Sequence, residues 1–168
     1  IDMSGLFSGC SGLKNIDVSK FDTSKVTNMS NLFSGCTSLV KIDLSKFKTD
    51  NVTDMTGMFN GCKAATGIKL KKFNTINVRN MDSMFKSCSS LTNMDLSGFN
   101  TSNVDNMREM FVGSTLLKSV NLSRFNTSKV TDVEEIFDGC ENLEEIKLSN
   151  CNEKTINDLR SSLAFRSM

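Results

Sequence analysis

The fold is decided by the stretch from Leu39 to Cys62, which reads LVKIDLSKFKTDNVTDMTGMFNGC. In its first part, Ile42 and Leu44 are two residues apart, so their side chains lie on the same side of an extended segment. In its second part, apolar residues from Val52 onward follow one another at spacings of three, three, one and three, which line one side of an α-helix. The stretch therefore predicts one short strand followed by one short helix.

The same pattern recurs every 26 residues along the chain. Eleven of the 12 phenylalanines occupy two sets of equivalent positions, and five of the six cysteines occupy a third set. The sets are Phe7, Phe33, Phe59, Phe85, Phe111 and Phe137; Phe21, Phe47, Phe73, Phe99 and Phe125; and Cys10, Cys36, Cys62, Cys88 and Cys140, with Ser114 in the one gap. An internal repeat of this length predicts a solenoid, in which each unit buries its apolar face only against its neighbours.

Strands that recur with a helix between them run parallel, and equivalent positions stack about 4.8 Å apart. The sequence therefore predicts an α/β solenoid of about six 26-residue repeats. We expect a parallel β-sheet on the concave face and short helices on the convex face, because helices are wider than strands. The expected strands are centred on Asp17, Asp43, Lys69, Asp95, Asn121 and Lys147.

The repeat resembles a known family, the BspA-like leucine-rich repeats. The resemblance is carried by Leu39, Ile42, Asp43, Leu44, Ser45, Phe47, Thr49 and Val52, followed by Met55, Met58, Phe59 and Cys62, and it extends from Met3 to about Leu148. The repeat is most similar to the 26-residue type found in surface lipoproteins and wall-anchored proteins of Gram-positive and wall-less bacteria. The resemblance implies a right-handed leucine-rich-repeat coil in an extracellular protein that binds host or neighbouring-cell molecules, with no catalytic residues.

The two ends depart from the repeat. Residue 1 takes the position of Thr27, so residues 1–150 form six copies of which the first is truncated, and we expect a chain cut from a longer parent. Residues 151–168 keep the apolar positions at Ile156, Leu159 and Leu163 but place Arg166 where a cysteine is expected. This mixture predicts a degenerate C-terminal capping coil, since a cap needs one apolar and one polar side.

The composition excludes several functions. The chain has no histidine, tryptophan, tyrosine or proline, and its net charge is +1. Without histidine there is no Ser-His-Asp triad and no histidine ligand for zinc, and the balanced charge argues against a nucleic-acid-binding domain. No apolar run approaches the roughly 18 residues of a membrane span. We therefore expect a non-enzymatic protein with no cofactor, no metal, no nucleic-acid partner and no membrane insertion.

Three recurring polar positions have alternative interpretations. The cysteines favour buried thiols that fill small spaces, with a disulfide as the alternative and Cys151 as the thiol expected to be partly exposed. The aspartates at 17, 43 and 95 suggest calcium, but Lys69, Asn121 and Lys147 interrupt that set and favour a solvated strand surface. The threonines at 23, 49, 75, 101 and 127 precede the expected helices, where they cap a helix or bond within a loop.

Exposed strand positions are the candidate binding face, because the scaffold fixes them while leaving their side chains unconstrained. The candidate residues are Lys41, Asp43, Lys69, Lys71, Lys72, Asn93, Asp95, Ser119 and Asn121. Lys69, Lys71 and Lys72 form a basic patch suited to an acidic glycan or protein; the alternative is a solvated surface that keeps the sheet soluble. Outside the repeat positions the chain has only one aromatic residue, Phe165, so we expect recognition to be polar and modest or spread over many coils.

These observations predict a protein-interaction scaffold, the ligand-binding or adhesion segment of a bacterial cell-surface protein. Its partner would be a protein or glycan on host or neighbouring cells. Two alternatives remain: a structural spacer or stalk of a surface protein, and an intracellular leucine-rich-repeat interaction module. No unit carries a unique cluster of catalytic residue types that would favour an enzyme.

Overall fold

The computed structural model describes residues 1–133 and 135–163, which form five short strands and one helix. The strands are β1 Lys41–Asp43, β2 Gly67–Lys69, β3 Asn93–Asp95, β4 Ser119–Asn121 and β5 Glu145–Lys147, and the helix is α1 Glu153–Ser162. Every paired strand is parallel to its neighbour, and each paired residue lies opposite the residue 26 positions later. The predicted parallel strands and their register are therefore confirmed; we call each 26-residue stretch a coil.

The strand expected around Asp17 does not form among the described residues, which is a correction to the sequence interpretation. Within residues 1–133 and 135–163, one long backbone hydrogen bond links this segment to the next coil, from the Val40 N–H to the Lys14 carbonyl at 3.5 Å. The strand side of the first coil therefore lacks the repeated bonds that define a strand, although Phe7 and other residues elsewhere in this coil donate to the next one.

The strands form two sheets, because β2 and β3 do not pair. One sheet contains β1 and β2, and the other contains β3, β4 and β5. The same two coils remain bonded on another side, where the N–H groups of Met81 and Ser83 donate to the carbonyls of Asn106 and Arg108 at 2.9 and 2.8 Å. The break is therefore local to the strand side of the coil.

The segments predicted as helices are runs of turns, so the prediction of short helices between the strands is wrong. Gly57 in the middle of one segment has φ 56°, a left-handed conformation that interrupts an α-helix. Within this segment the Met58 N–H donates to the Met55 carbonyl three residues back, whereas the Phe59 N–H donates to Met84 in the next coil at 3.0 Å. About half of the N–H groups in this segment therefore donate to the next coil, and the others close tight turns within the segment. The three-residue spacing of the apolar residues reflects these turns.

Stacked phenylalanine rings form the core of the described residues. The rings of Phe59, Phe85 and Phe111 are almost parallel, with centroids 5.5 Å apart at each step, and they are at most 1% exposed. In the second set, Phe73 and Phe99 stack at 6.4 Å. Removing a fully buried ring costs about 3 to 5 kcal/mol, so this stack contributes much of the stability of the array.

The recurring threonines bond one coil to the next. Thr49 Oγ1 donates to the Asn74 carbonyl at 3.0 Å and accepts from the Asn74 N–H at 2.8 Å. The same pair of bonds recurs from Thr23, Thr75 and Thr101. Hydrogen bonding by these threonines in the loops is therefore confirmed, but their partners lie in the next coil, and helix capping is wrong.

The cysteine position needs a small hydrogen-bond donor. The Cys62 Sγ lies 3.3 Å from the Phe33 carbonyl, and Ser114 Oγ donates to the equivalent Phe85 carbonyl at 2.8 Å. This explains why serine replaces cysteine there. The cysteines carry thiols, and those of Cys36, Cys62, Cys88 and Cys140 are buried as predicted. Cys151 is partly exposed, also as predicted, whereas Cys10 in the first coil is exposed although it belongs to the set expected to be buried.

Helix α1 packs against the last full coil through both apolar and polar contacts. Asn152 Oδ1 accepts from the Thr155 N–H at 2.8 Å and begins the helix, and Leu159 is 1% exposed. Thr155 Oγ1 accepts from the Thr127 N–H at 3.0 Å, while Thr127 Oγ1 donates to Asp158 at 2.6 Å. The side chains of α1 thus supply contacts that a further coil supplies elsewhere.

Two residues used in the sequence interpretation, Phe165 and Arg166, lie outside the described residues. Within residues 1–133 and 135–163, no helix is long and apolar enough to cross a membrane.

Candidate functional site

The predicted binding residues lie on the strands or directly after them. Lys41 and Asp43 belong to β1, Lys69 to β2, Asn93 and Asp95 to β3, and Ser119 and Asn121 to β4, while Lys71 and Lys72 follow β2 in a turn. Seven of the nine are exposed, and Ser119 and Asn121 are partly buried. The structure therefore brings these residues to the strand side of the coils.

Two grooves divide this strand side. The larger, of about 730 Å³, lies at the break between β2 and β3 and is bounded by Lys69, Lys71 and Lys72 on one wall and Asn93 and Asp95 on the other. We call it the β2–β3 groove; Asp43 also borders it. The smaller groove, of about 320 Å³, lies over the paired strands β3 and β4 and is lined by Ser119 and Asn121. Lys41 borders neither groove.

The β2–β3 groove coincides with a local loss of side-chain volume. Gly67 stands where other coils carry Lys41 or Asn93, and Ala65 stands where they carry leucine. A Cβ on Gly67 would meet nothing within 4 Å, which shows how open this part of the groove is. The continuous sheet expected from the repeat therefore stops beside β2, the one described strand that contains glycine.

The sequence interpretation missed this groove because it took the repeat as uniform. The signal was present in residues 63–67, KAATG, which depart from the pattern at both the leucine position and the first strand position. Glycine inside a strand weakens it and often marks a site of irregular pairing. A comparison of side-chain volumes between repeats therefore locates the break.

The charged side chains on the two walls differ in whether they already form an ion pair or hydrogen bond within the chain. Lys69 Nζ lies 3.0 Å from Asp43 Oδ2 across β1 and β2, and both side chains are more than half exposed. Hydrogen bonds from Ser45, and then from Lys69, lower the pKa of Asp43 to about 2. Asp95 Oδ1 accepts from the Ser97 N–H at 3.0 Å, and hydrogen bonding from Ser97 lowers the pKa of Asp95.

Lys71 and Lys72 are the cations of the groove without such a partner. Neither ammonium group makes a hydrogen bond or ion pair with any residue of 1–133 or 135–163, although the charge of Lys71 helps to lower the pKa of Asp95. Both side chains are exposed. The groove therefore presents two positive charges that are available to a ligand.

The groove offers binding chemistry through ammonium, amide and hydroxyl groups. Among the residues that the structure describes, no three or more cysteine, aspartate or glutamate side chains cluster as a metal site.

Burial raises the pKa of the Cys62 thiol to about 12, so its reactive thiolate is scarce at neutral pH.

Two of three comparisons place this architecture among known proteins. A family model described as "Mycoplasma protein of unknown function, DUF285" matches residues 1–119 and 62–165. The crystal structure of the T. pallidum leucine-rich repeat protein TpLRR is similar, with a TM-score of 0.54 and 20% sequence identity, over 95% of this chain and 75% of that chain. No curated protein matches the chain. At this identity the structural likeness shows the fold alone: the chain is a repeat solenoid like a leucine-rich repeat protein, and it belongs to the DUF285 family.

Proposed function

We propose that the chain is a non-enzymatic interaction scaffold that forms the ligand-binding or adhesion segment of a bacterial cell-surface protein. The single observation that carries the proposal is the coincidence of the β2–β3 groove with the predicted basic patch. A repeat scaffold holds its backbone by contacts between neighbouring coils, which leaves the exposed strand side chains free to vary for recognition. Lys71 and Lys72 are such side chains.

The proposal includes a finer description of the family and the architecture. We assign the chain to the 26-residue type of BspA-like surface proteins, with about six right-handed coils and the strands on the concave side. The 26-residue offset between paired strand residues supports this assignment, as do the phenylalanine rings that stack from coil to coil. Residues 151–168 would act as the capping coil, supported by the contacts of Thr155 and Leu159 in α1.

The proposed location is extracellular, and the proposed partner is a protein or glycan on host or neighbouring cells. Exposed lysines on a rigid face suit partners with acidic groups, because complementary charge speeds encounter and sets orientation. The spacer alternative assigns no binding role to these lysines, so it predicts a different result when their charge is reversed.

The test replaces Lys41, Lys69 and Lys71 with glutamate in one variant. The matched control makes the same change of charge away from the grooves, at Lys25, Lys63 and Arg79, all exposed. We expect the strand-side variant to stay folded, with its melting temperature only slightly lowered by loss of the exposed Lys69–Asp43 ion pair, but to lose adhesion of the labelled chain to cultured animal or bacterial cells. We expect the control to adhere normally. Equal adhesion by both variants would favour the spacer.

A further inference from the structure

We infer that the β2–β3 groove binds an extended acidic peptide, with carboxylates at alternate positions of the peptide meeting the lysines of one wall. This inference rests on the proposed binding function and names its ligand class. Five features of the groove support it: its length, the spacing of its charges, its net charge, its floor and its open backbone.

The length of the groove suits an extended peptide. Its walls follow the chain from Gly67 to Lys72 on one side and from Asn93 to Phe99 on the other. At about 3.3 Å per residue, the extended part of the first wall, β2, is about 10 Å long, and the turn that holds Lys71 and Lys72 continues this wall. A peptide of similar length can lie along the groove and parallel to the strands.

Two charges on the wall are separated by one residue. Lys69 at the end of β2 and Lys71 in the turn that follows are both exposed, Leu70 between them is buried, and all three border the groove. Alternate side chains of an extended peptide recur at the same interval. Acidic residues separated by one position therefore match this pair of lysines, and Lys72 adds a third ammonium group beside them.

The net charge of the groove favours an anion. Lys69 is partly neutralised by Asp43 at 3.0 Å, and the carboxylate of Asp95 is held by Ser97. Lys71 and Lys72 have no such neutralising contact among the described residues, so a ligand carboxylate completes their ion pairs. Lysine also suits separate carboxylates, since its ammonium is a compact charge that needs no planar, bidentate partner.

The floor of the groove favours a peptide over a sulfated glycan. Ile68 is partly buried there, whereas the equivalent Ile42 is only 1% exposed, so Ile68 offers apolar surface to a ligand side chain. Phe99 is also 1% exposed and presents no ring face on which a sugar could stack. A peptide that alternates acidic and apolar residues uses both the lysine wall and this floor.

The break in the sheet adds hydrogen-bonding groups. At intact steps the Leu44 N–H donates to the Lys69 carbonyl at 3.3 Å and the Leu96 N–H donates to the Asn121 carbonyl at 2.9 Å. Among the described residues, the equivalent bond from Leu70 to Asp95 is not formed. Unpaired backbone groups require solvent or a ligand, and a peptide backbone supplies both donors and acceptors.

The test measures binding of a fluorescein-labelled peptide, Glu-Leu-Glu-Leu-Glu-Leu, to the 168-residue chain by fluorescence anisotropy. One variant carries Lys71→Glu and Lys72→Glu, and its matched control carries Lys25→Glu and Lys63→Glu. We expect the first pair to weaken binding about tenfold and the control pair to leave it unchanged, because only the first pair borders the groove. Circular dichroism melting checks that each variant is folded.

A second variant, Gly67→Leu, fills the groove without changing charge. An added Cβ at Gly67 meets nothing within 4 Å, and Gly67 lines the groove, so we expect the larger side chain to occupy part of the groove. Gly12, which also has nothing within 4 Å, provides the control Gly12→Leu outside the groove. We expect weaker peptide binding from Gly67→Leu alone.

The outcomes separate this inference from the proposed function. A Gln-Leu peptide that binds as well as the Glu-Leu peptide, or binding unaffected by Lys71→Glu with Lys72→Glu, overturns the acidic-peptide ligand. Binding of a heparin oligosaccharide through these lysines, without binding of the peptide, also overturns the acidic-peptide ligand. In either case, loss of cell adhesion in the Lys41, Lys69 and Lys71 variant still supports the proposed function. If adhesion also survives in that variant, both proposals fall.

Discussion

Replacing Thr75 with valine should destabilise the array at the step where the sheet is broken. Thr75 Oγ1 donates to the Asn100 carbonyl at 2.9 Å and accepts from the Asn100 N–H at 2.8 Å, and Thr75 is 1% exposed. These two bonds join the coil that contains β2 to the coil that contains β3. Valine has nearly the same shape as threonine but lacks the hydroxyl, so the substitution removes both bonds while largely keeping the packing.

The expected cost follows from what is left unpaired. A buried donor or acceptor without a partner costs about 1 to 3 kcal/mol. Asn100 is partly exposed, so water reaches its backbone groups in part and the two losses fall at the lower end of that range. We therefore expect Thr75→Val to lower the free energy of unfolding by about 2 to 3 kcal/mol. Thr75→Ser keeps the hydroxyl and should cost less than about 1.5 kcal/mol, for one lost methyl group.

The assay is urea unfolding followed by circular dichroism, with the slope of the transition compared among the variants. An unchanged slope attributes a shifted midpoint to stability alone. Thr75→Ser costing more than Thr75→Val would refute the reasoning, because the methyl group rather than the hydroxyl would then hold the coils together.

Three further predictions follow from the core and the titratable groups. Phe85→Ala should cost about 3 to 5 kcal/mol in urea unfolding, because Phe85 is fully buried between two stacked rings, and Phe85→Leu should cost less because leucine keeps much of the buried apolar volume. Equal costs would contradict buried volume as the main source of the stability. A thiol reagent should modify exposed Cys10 faster than Cys62, because burial raises the pKa of the Cys62 thiol to about 12. Mass spectrometry of the native chain measures the two modification rates, and equal rates would refute this prediction. Ser45→Ala should raise the pKa of Asp43 from about 2 toward 3.8, as followed by NMR, so that the carboxylate is protonated at a higher pH; an unchanged pKa would exclude the Ser45 hydroxyl as a cause.

The buried positions and the strand register could be predicted from the repeat alone. Phe59 and Phe85, 26 residues apart, stack, and Ile42 pairs with Ile68 as the identical spacing requires. A recurring apolar residue in a stacked array has only one place to be buried, which is against its own equivalents. Periodicity therefore determined the core before any local structure was known.

Local backbone conformation could not be predicted in the same way. Apolar residues three apart fit an α-helix and a run of tight turns equally well, and the two differ in where the backbone N–H groups go. At Gly57 the N–H donates to Asp82 in the next coil at 2.8 Å, a bond that no local pattern reveals. The same left-handed conformation occurs at Asn31, Ser83 and Glu109, so glycine was not a reliable signal for it.

The binding face was predicted only in part, because the sequence pattern shows which residues are exposed but not where two neighbouring strands separate. The sequence identified Lys69, Lys71 and Lys72 as an exposed basic patch, but a groove requires two walls and a gap between them. That gap depends on missing volume, at Ala65 and Gly67, and a search for recurring residues ignores positions where residues fail to recur.

A broken sheet is compatible with a stable array because several independent contacts join the same two coils. Across the break, Thr75 bonds the Asn100 backbone and the Phe73 and Phe99 rings stack at 6.4 Å. Parallel bridges also continue on another side of the coils, from Asn80 to Asn106. Losing the strand pairing at one step therefore removes only one of several links, and the groove can form without separating the coils. In a solenoid, the positions that break the repeat are consequently where a binding site can arise at low cost in stability.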